Sequence, residues 1–563
     1  MKLTLLVLST LVGLLGDASK DPCNGMTLTD VARSAGLAFT HINGATGAKH
    51  LPETMGSGIA WLDFDSDGWI DLYVVQSGSF PPDGAAASAN RLYRNRGDGT
   101  FEDVTQRSGV GDRGYGQGVV AGDVNGDGHT DLFVCNFGRD ALYLNRGDGT
   151  FENATARAGV ALEGWSSSAA FADADGDGDL DLYVARYLEY DPGAALYCGL
   201  PDTDERRYCD PSLFRGASNR FYRNRGDGTF EDATAAAGLQ DPGGKSLGVL
   251  FTDLDGDGWP ELYVANDLTF NNLYRNRGNG TFEDVSLLSG TAVNREGKVE
   301  AGMGLAVGDL DGDGDPDLVK SNFDVELNTF YQNLGALMFE DVSARSGFGP
   351  PSFNLLGFGI VLADLDRDGD LDAYVANGHI LDKPLRESVT HAQRGLLLLG
   401  DGKGHFREQR CGPAFERAEV GRGLAVADYD NDGDPDLAIL NNGGPLQLLR
   451  NDGAGGQWLG LRLRGRAPNT GAVGARVNLT TDTGRQVRWR LAGDSYQSSS
   501  DPRVLFGLPR SDRVRTLEIV WPHGTPTVLE KVALGAYTTV AQDDPATQTQ
   551  TVPSARQLRE SDK

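Results

Sequence analysis

Beyond its first fifteen residues the chain has no apolar run approaching the roughly 20 residues that a membrane span needs. Positive charge is scarce: 51 basic residues face 80 acidic ones, a net charge of −29 that argues against nucleic acid and anionic membrane surfaces as partners. There is no His-Glu-x-x-His and no Gly-x-Ser-x-Gly, and "GLQDPGGKS" misses a P-loop because Leu239 stands where Gly is required. The seven histidines are scattered: His41, His50, His129, His379, His391, His405 and His523.

Cysteine is also sparse, at five in 563 residues. Lys2, the apolar run Leu3 to Leu15 and the small residues Gly16-Asp17-Ala18-Ser19 read as a secretory signal over residues 1–18, cut after Ala18. The mature protein is then expected to be secreted or periplasmic/extracellular, with no membrane insertion after cleavage. In that setting Cys198 and Cys209, closing "CGLPDTDERRYC", are expected to pair, and Cys135 in "DLFVCN" to be a buried free thiol. The spacing assigns no partner to Cys23 or Cys411. The Asn-x-Thr sequons at Asn153, Asn279 and Asn478 matter only in a eukaryotic host.

What the chain does have is Gly, 77 residues of it, and an acidic repeat. Asp-x-Asp/Asn-x-Asp-Gly-x-x-Asp/Glu starts at Asp63, Asp123, Asp173, Asp253, Asp309, Asp364 and Asp428. Each copy offers side-chain oxygens at positions 1, 3, 5 and 9, the hard donors Ca²⁺ takes. The expected ligands are Asp63, Asp65, Asp67 and Asp71; Asp123, Asn125, Asp127 and Asp131; Asp173, Asp175, Asp177 and Asp181; and Asp253, Asp255, Asp257 and Glu261. The remaining three loops supply Asp309, Asp311, Asp313 and Asp317; Asp364, Asp366, Asp368 and Asp372; and Asp428, Asp430, Asp432 and Asp436. About seven Ca²⁺ are therefore expected. An EF-hand is excluded, since position 12 is Val, Lys or Ile throughout.

A short apolar stretch precedes each loop, usually opened by Gly five residues upstream, and a β-prone run such as "DLYVV" follows it. A hairpin like "LYRNRGDGTFEDVT" adds two more strands. Seven four-stranded units predict an all-β fold, a seven-bladed β-propeller. The Arg96-Gly97-Asp98 triplet lies in that hairpin. In the other copies only its Gly is constant, so it reads as a tight turn rather than an integrin ligand.

The seventh unit lacks its last strand, and "MTLTDVARSAGL" near the N-terminus matches it. Residues 26–455 are thus read as the propeller, 456–542 as a small antiparallel β domain and 543–563 as a disordered tail. Acidic loops and Asn-x-Gly turns share one face. The irregular connections Ser77 to Asn90, Tyr187 to Asn219 and Asn377 to Gly395 lie on the other, where binding is expected.

The acidic loops resemble the calcium-binding FG-GAP (or VCBS) repeats of integrin α-chain propellers. "GARV", "GDSYQSSSDPRVLFGL" and "VWPHG" resemble the ASPIC/UnbV domain that follows such repeats in the cartilage acidic protein family and its bacterial relatives. "ETMGSGIAWLDFD" and "VANGHI" are similar to the bacterial members. The resemblance implies an extracellular calcium-binding adhesion or interaction module for a protein or glycan, with the C-terminal domain as a second module. The rival reading is an enzyme or biosynthetic accessory protein with a site at the channel top, where His50, Glu53, Glu300 and His379 are the candidates.

Overall fold

A computed structural model describes residues 23–82, 89–194, 196–199, 205–241, 243–453, 455–544 and 548–550. The expected signal peptide lies outside them. The protein is all-β, and the described strands between Thr27 and Asp452 form seven four-stranded antiparallel units. Unit 1 is Ile59–Leu62, Asp71–Val74, Arg91–Asn95 and Phe101–Asp103, paired in that order. The innermost strands of the others are Tyr115–Gly122, Glu163–Ala172, Ser246–Thr252, Leu305–Gly308, Gly357–Ala363 and Gly421–Ala427. Each touches the next and the last touches Ile59–Leu62, so they form a closed ring. Units 2 and 3 are further joined into one eight-stranded sheet by Glu163–Trp165 pairing with Phe137–Arg139.

The core lies between units rather than within them. Ile59, Trp61, Leu72 and Val74 pack on Ala425, Ala438, Leu440 and Leu448 of unit 7, and equivalent layers separate every other neighbouring pair. Both faces of a strand are therefore buried, and the strands read as continuous apolar runs. The Gly five residues upstream of six of the seven loops has a steric cause. A Cβ at Gly248 would stand 2.1 Å from the Met303 carbonyl, just before the adjoining inner strand, and larger residues would push the units apart.

Thr27–Asp30 pairs with Leu446–Asp452 and completes unit 7, fastened by the Cys23–Cys411 disulfide. Cys198 pairs with Cys209, and Cys135 is a buried free thiol.

The C-terminal domain stacks two four-stranded sheets around Leu459, Val477, Phe506, Leu517, Ile519 and Val540. Two expectations are corrected here. The domain is not wholly antiparallel: Gln457–Arg464 runs parallel to Tyr537–Ala541, because the chain crosses the other sheet before returning. The tail is not irregular throughout either, since Gln548–Gln550 adds an antiparallel edge strand to Tyr537–Ala541, where its backbone finds partners that polar composition does not reveal.

From this domain the segment 492–501 enters the ring. The inner strands expose unpaired edges to the central channel, and the segment bonds to those of six units. The Ala492 carbonyl accepts from Phe171 N–H (2.9 Å), Gln497 from Val119 (3.0 Å) and Ser499 from Trp61 (3.0 Å). Ser495 exchanges backbone bonds with Leu305, and its Oγ accepts from Ile360. Asp501 N–H donates to the Val426 carbonyl at 2.9 Å. The channel is thus filled by the chain's own C-terminal domain.

Candidate functional site

In every acidic loop the ninth residue is a buried clamp. Asp71 accepts the N–H of Phe64, at position 2 of its own loop, and of Asn95 in the third strand, at 3.1 and 2.7 Å. Asp131, Asp181, Glu261, Asp317, Asp372 and Asp436 repeat the pattern with their own second positions and third strands. Position 1 accepts from the Gly at position 6, whose positive φ closes the loop: Gly68 (+96°) donates to Asp63 at 3.1 Å.

Carboxylate oxygens of positions 1, 3 and 9 lie within 4.8 Å of one another in the loops starting at Asp63, Asp253, Asp309 and Asp364, whereas Asp173, Asp175 and Asp177 converge in the third. Burial, reinforced by neighbouring carboxylates, pushes Asp317 up to about 8 and Glu261 to about 9. This donor set, all oxygen and crowded with negative charge, fits a hard divalent cation.

Three features escape the motif. Arg94, one residue before Asn95, sets Nη2 2.6 Å from Asp67 and Nε on Asp65, while Arg223 and Arg275 approach Asp175 and Asp255 at 2.8 and 3.6 Å. The recurring Arg-Asn in "LYRN" was the available signal. The Asn itself does more than turn the hairpin. Its Oδ1 caps the following Gly, as Asn95 does for Gly97 at 3.0 Å, and its Nδ2 reaches the neighbouring unit. Asn145 Nδ2 donates to the Phe64 carbonyl at 2.8 Å, and Asn95, Asn224, Asn276, Asn333 and Asn451 make the same stitch to their own neighbours. In unit 6, where Gly400 replaces Asn, the N–H of Gly404 takes over on Leu310. The Arg96-Gly97-Asp98 triplet is the tip of such a turn, with Arg96 N–H donating to the Thr100 carbonyl.

The third feature is that the acidic-loop face is covered. Tyr537 donates to Asp428 at 2.9 Å, Thr470 to Asp123 and Arg462 to the Gly68 carbonyl, while His523 lies 2.5 Å from Asp173. The C-terminal domain is docked on the ring through first-position aspartates rather than standing apart as a separate module. Its side-chain hydrogen bond to Asp173 lifts the His523 pKa above the ordinary imidazole value.

On the opposite face a cavity of about 540 Å³ opens at the channel mouth. One wall is formed by residues 207–211, which include the Cys209 end of the Cys198–Cys209 disulfide: Tyr208 donates to Glu53 at 3.1 Å, and Glu205 meets Lys383 at 3.2 Å. Of the four residues expected to converge here, only His379 lines the cavity. Glu53 stands behind Tyr208. His50 bonds Tyr190 and packs on Phe80, and Glu300 is locked by Lys320, Asn322, Thr329 and Asn294. Tyr187, Asp267, Asp324 and Glu326 line the cavity instead, and no motif marks them.

An FG-GAP-like repeat model matches residues 63–134, 123–184, 212–264 and 253–319, and an ASPIC and UnbV model matches 465–547. The chain is 28% identical to cartilage acidic protein 1 of Mus musculus over 54% of its length and 45% of the mouse protein, and to the Homo sapiens protein over 57% and 47%. It therefore spans under half the length of these relatives. Among solved structures, a lectin of Agrocybe aegerita described as recognising non-reducing terminal N-acetylglucosamine aligns with 70% of this chain and 94% of its own, at 16% identity and TM-score 0.38. The exotype rhamnogalacturonan lyase YesX aligns with 83% and 87%, at 14% identity and TM-score 0.32.

Proposed function

We propose that this chain of FG-GAP-like repeats closed by an ASPIC and UnbV domain is a secreted, calcium-stabilised interaction protein that binds an extracellular protein or glycan through its irregular-loop face. The observation that carries the reading is the asymmetry of the ring. One face is covered by the C-terminal domain, while the other presents Leu213, Phe270, Val325, Phe353 and Leu385, each between 43% and 74% exposed, on second-to-third or unit-to-unit connections. Clustered exposed apolar side chains mark interaction surfaces, and on the opposite face only the hairpin tip bearing Leu334 and Met338 exposes such residues among the described propeller hairpins. Two disulfides suit an oxidising compartment.

The 28 loop residues named above would hold Ca²⁺, whose charge would offset their mutual repulsion. Positions 1, 3 and 5 would supply most of the ligand oxygens, in exchange for some of the contacts they now make with Arg94 and the C-terminal domain, while position 9 also clamps the backbone. The interaction reading is preferred to the channel-top enzyme because Glu300, one of that reading's four candidates, is fully engaged with its neighbours.

The test is a calorimetric Ca²⁺ titration of chelator-stripped protein with melting recorded, followed by retention on a glycan array and in an extracellular pull-down. Saturation near seven ions with a rise in Tm is expected, as is retention that Phe270→Ala with Phe353→Ala abolishes at unchanged Tm. Retention insensitive to these loop changes would remove the irregular face from the reading.

A further inference from the structure

We propose that the cavity at the channel mouth is a binding site for a small amphiphilic cation, a protonated or quaternary amine on an apolar body. This goes beyond the interaction role, because the site lies beside residues 207–211 in the channel mouth and takes a small molecule rather than a surface.

Its size falls within the roughly 300–1,000 Å³ of small-molecule sites. Leu51, Met55, Leu247 and Met303 give it an apolar floor, and Tyr187 and Phe323 contribute aromatic rings, which attract cations through their negative faces, while the rings of Phe358 and Tyr208 already carry Arg422 and Lys49 at 3.8 and 4.9 Å. Four carboxylates line it, Asp210, Asp267, Asp324 and Glu326, against two guanidiniums, Arg207 and Arg386. Asp267 and Asp324 are each 6% exposed, so their charge is poorly screened by water.

The neighbouring cations offset only part of this excess: Lys245 and Lys320 favour the charged forms of Asp267 and Glu326 through space, and Arg386 stands near Asp324. Lys245 directs its Nζ to the Pro211 carbonyl at 2.8 Å. Arg386 stacks over Phe353 at the rim, 5.5 Å from the ring centre, and its Nη1 is buried without a hydrogen-bond partner. That nitrogen is 3.7 Å from Asp324, and His379 Nε2 is 3.4 Å from it, both beyond the usual hydrogen-bond range of about 2.7–3.2 Å. His379 Nδ1 accepts the N–H of Leu381 at 3.0 Å. Burial also pushes Asp267 up to about 6 and Glu326 to about 7, a penalty that a cation in the cavity would relieve.

The experiment titrates the full chain with phenyltrimethylammonium, its neutral isostere tert-butylbenzene and the anion benzenesulfonate, following binding by ligand-observed NMR. The cation is expected to bind at least about tenfold more tightly than the isostere, a difference of about 1.4 kcal/mol, with no saturable sulfonate binding. Asp324→Asn and, separately, Asp267→Asn should bring the ratio of the first two toward one. Met303→Trp, which fills the floor, should remove both, with Tm reporting that each variant folds. Equal binding of cation and isostere, tighter sulfonate binding, no saturable cation binding, or a ratio untouched by Asp324→Asn in a folded protein would each overturn the proposal. None of these outcomes depends on retention by a protein or glycan, so the two readings fail separately.

Discussion

Tyr496 crosses the centre of the ring to donate its hydroxyl to the carbonyl of Met55, 441 residues earlier in the chain, at 3.2 Å. Its ring is wholly buried and meets Phe358 edge-on at 5.0 Å, in the apolar cluster beneath the loop-face cavity. A residue of the C-terminal domain thereby supports the opposite face of the propeller.

Tyr496→Phe removes one buried hydrogen bond and leaves the Met55 carbonyl without it, a cost of about 1–2 kcal/mol. Tyr496→Ala adds a cavity and should cost about 3–5 kcal/mol. Chemical denaturation of the full chain measures both. The second variant should also raise amide exchange in Leu51–Thr54, the short helix before Met55, and equal losses from the two would mean that the packing contributes nothing.

The Asn stitches give a sharper test because unit 6 lacks one. Asn145→Ala strands the Phe64 and Thr130 carbonyls that its Nδ2 reaches at 2.8 and 3.2 Å, and should cost about 1–3 kcal/mol. The loss is expected to be the same in chelator as in Ca²⁺, since the bond joins two units without touching a carboxylate. A loss seen only in Ca²⁺ would assign Asn145 to the metal loop instead.

His41 supplies the pH dependence. Its Nδ1 accepts the N–H of Gly443 at 3.1 Å, and its Nε2 contacts Ser77 Oγ at 3.0 Å. Burial, aided by the positive charge of Arg422, holds its pKa at about 3 against an ordinary 6.5. Between those values the folded state binds fewer protons than the unfolded one, so this contribution is complete above pH 6.5 and falls as pH drops toward 3. The slope approaches about 1.4 kcal/mol per pH unit for one site. Urea denaturation in chelator at pH 7.5 and 5.5 should show wild type losing about 1 kcal/mol more than His41→Gln over that span. The loop carboxylates titrate in both proteins and cancel in the difference.

Much of the frame was legible because it is local. The spacing from Asp63 to Asp71 repeats seven times, Gly stands five residues upstream of most copies, and "MTLTDVARSAGL" copies the outer strand that unit 7 lacks. What was hidden is carried by contacts between distant segments. "GDSYQSSSD" has no period and no apolar face, so nothing in it announces that its backbone would pair with the inner strands of the ring. Asn95 and Asn145 read as turn formers, which they are, and their second bonds leave no trace in their own hairpins. Glu300 and His50 were placed on the correct face, but a polar residue on a loop looks the same whether it faces a cavity or is tied down by Lys320 or Tyr190.

The filled channel also bears on the order in which the molecule can be completed. Thr27–Asp30, among the first residues of the ring, awaits Leu446–Asp452, and the hub of the wheel arrives later still, with residues 492–501. Until then the spokes end in open backbone at the axis, and no contiguous piece of the chain has all its hydrogen bonds made. The wheel is finished only from both ends at once, so an internal fragment, however many repeats it carries, lacks both its rim joint and its axle.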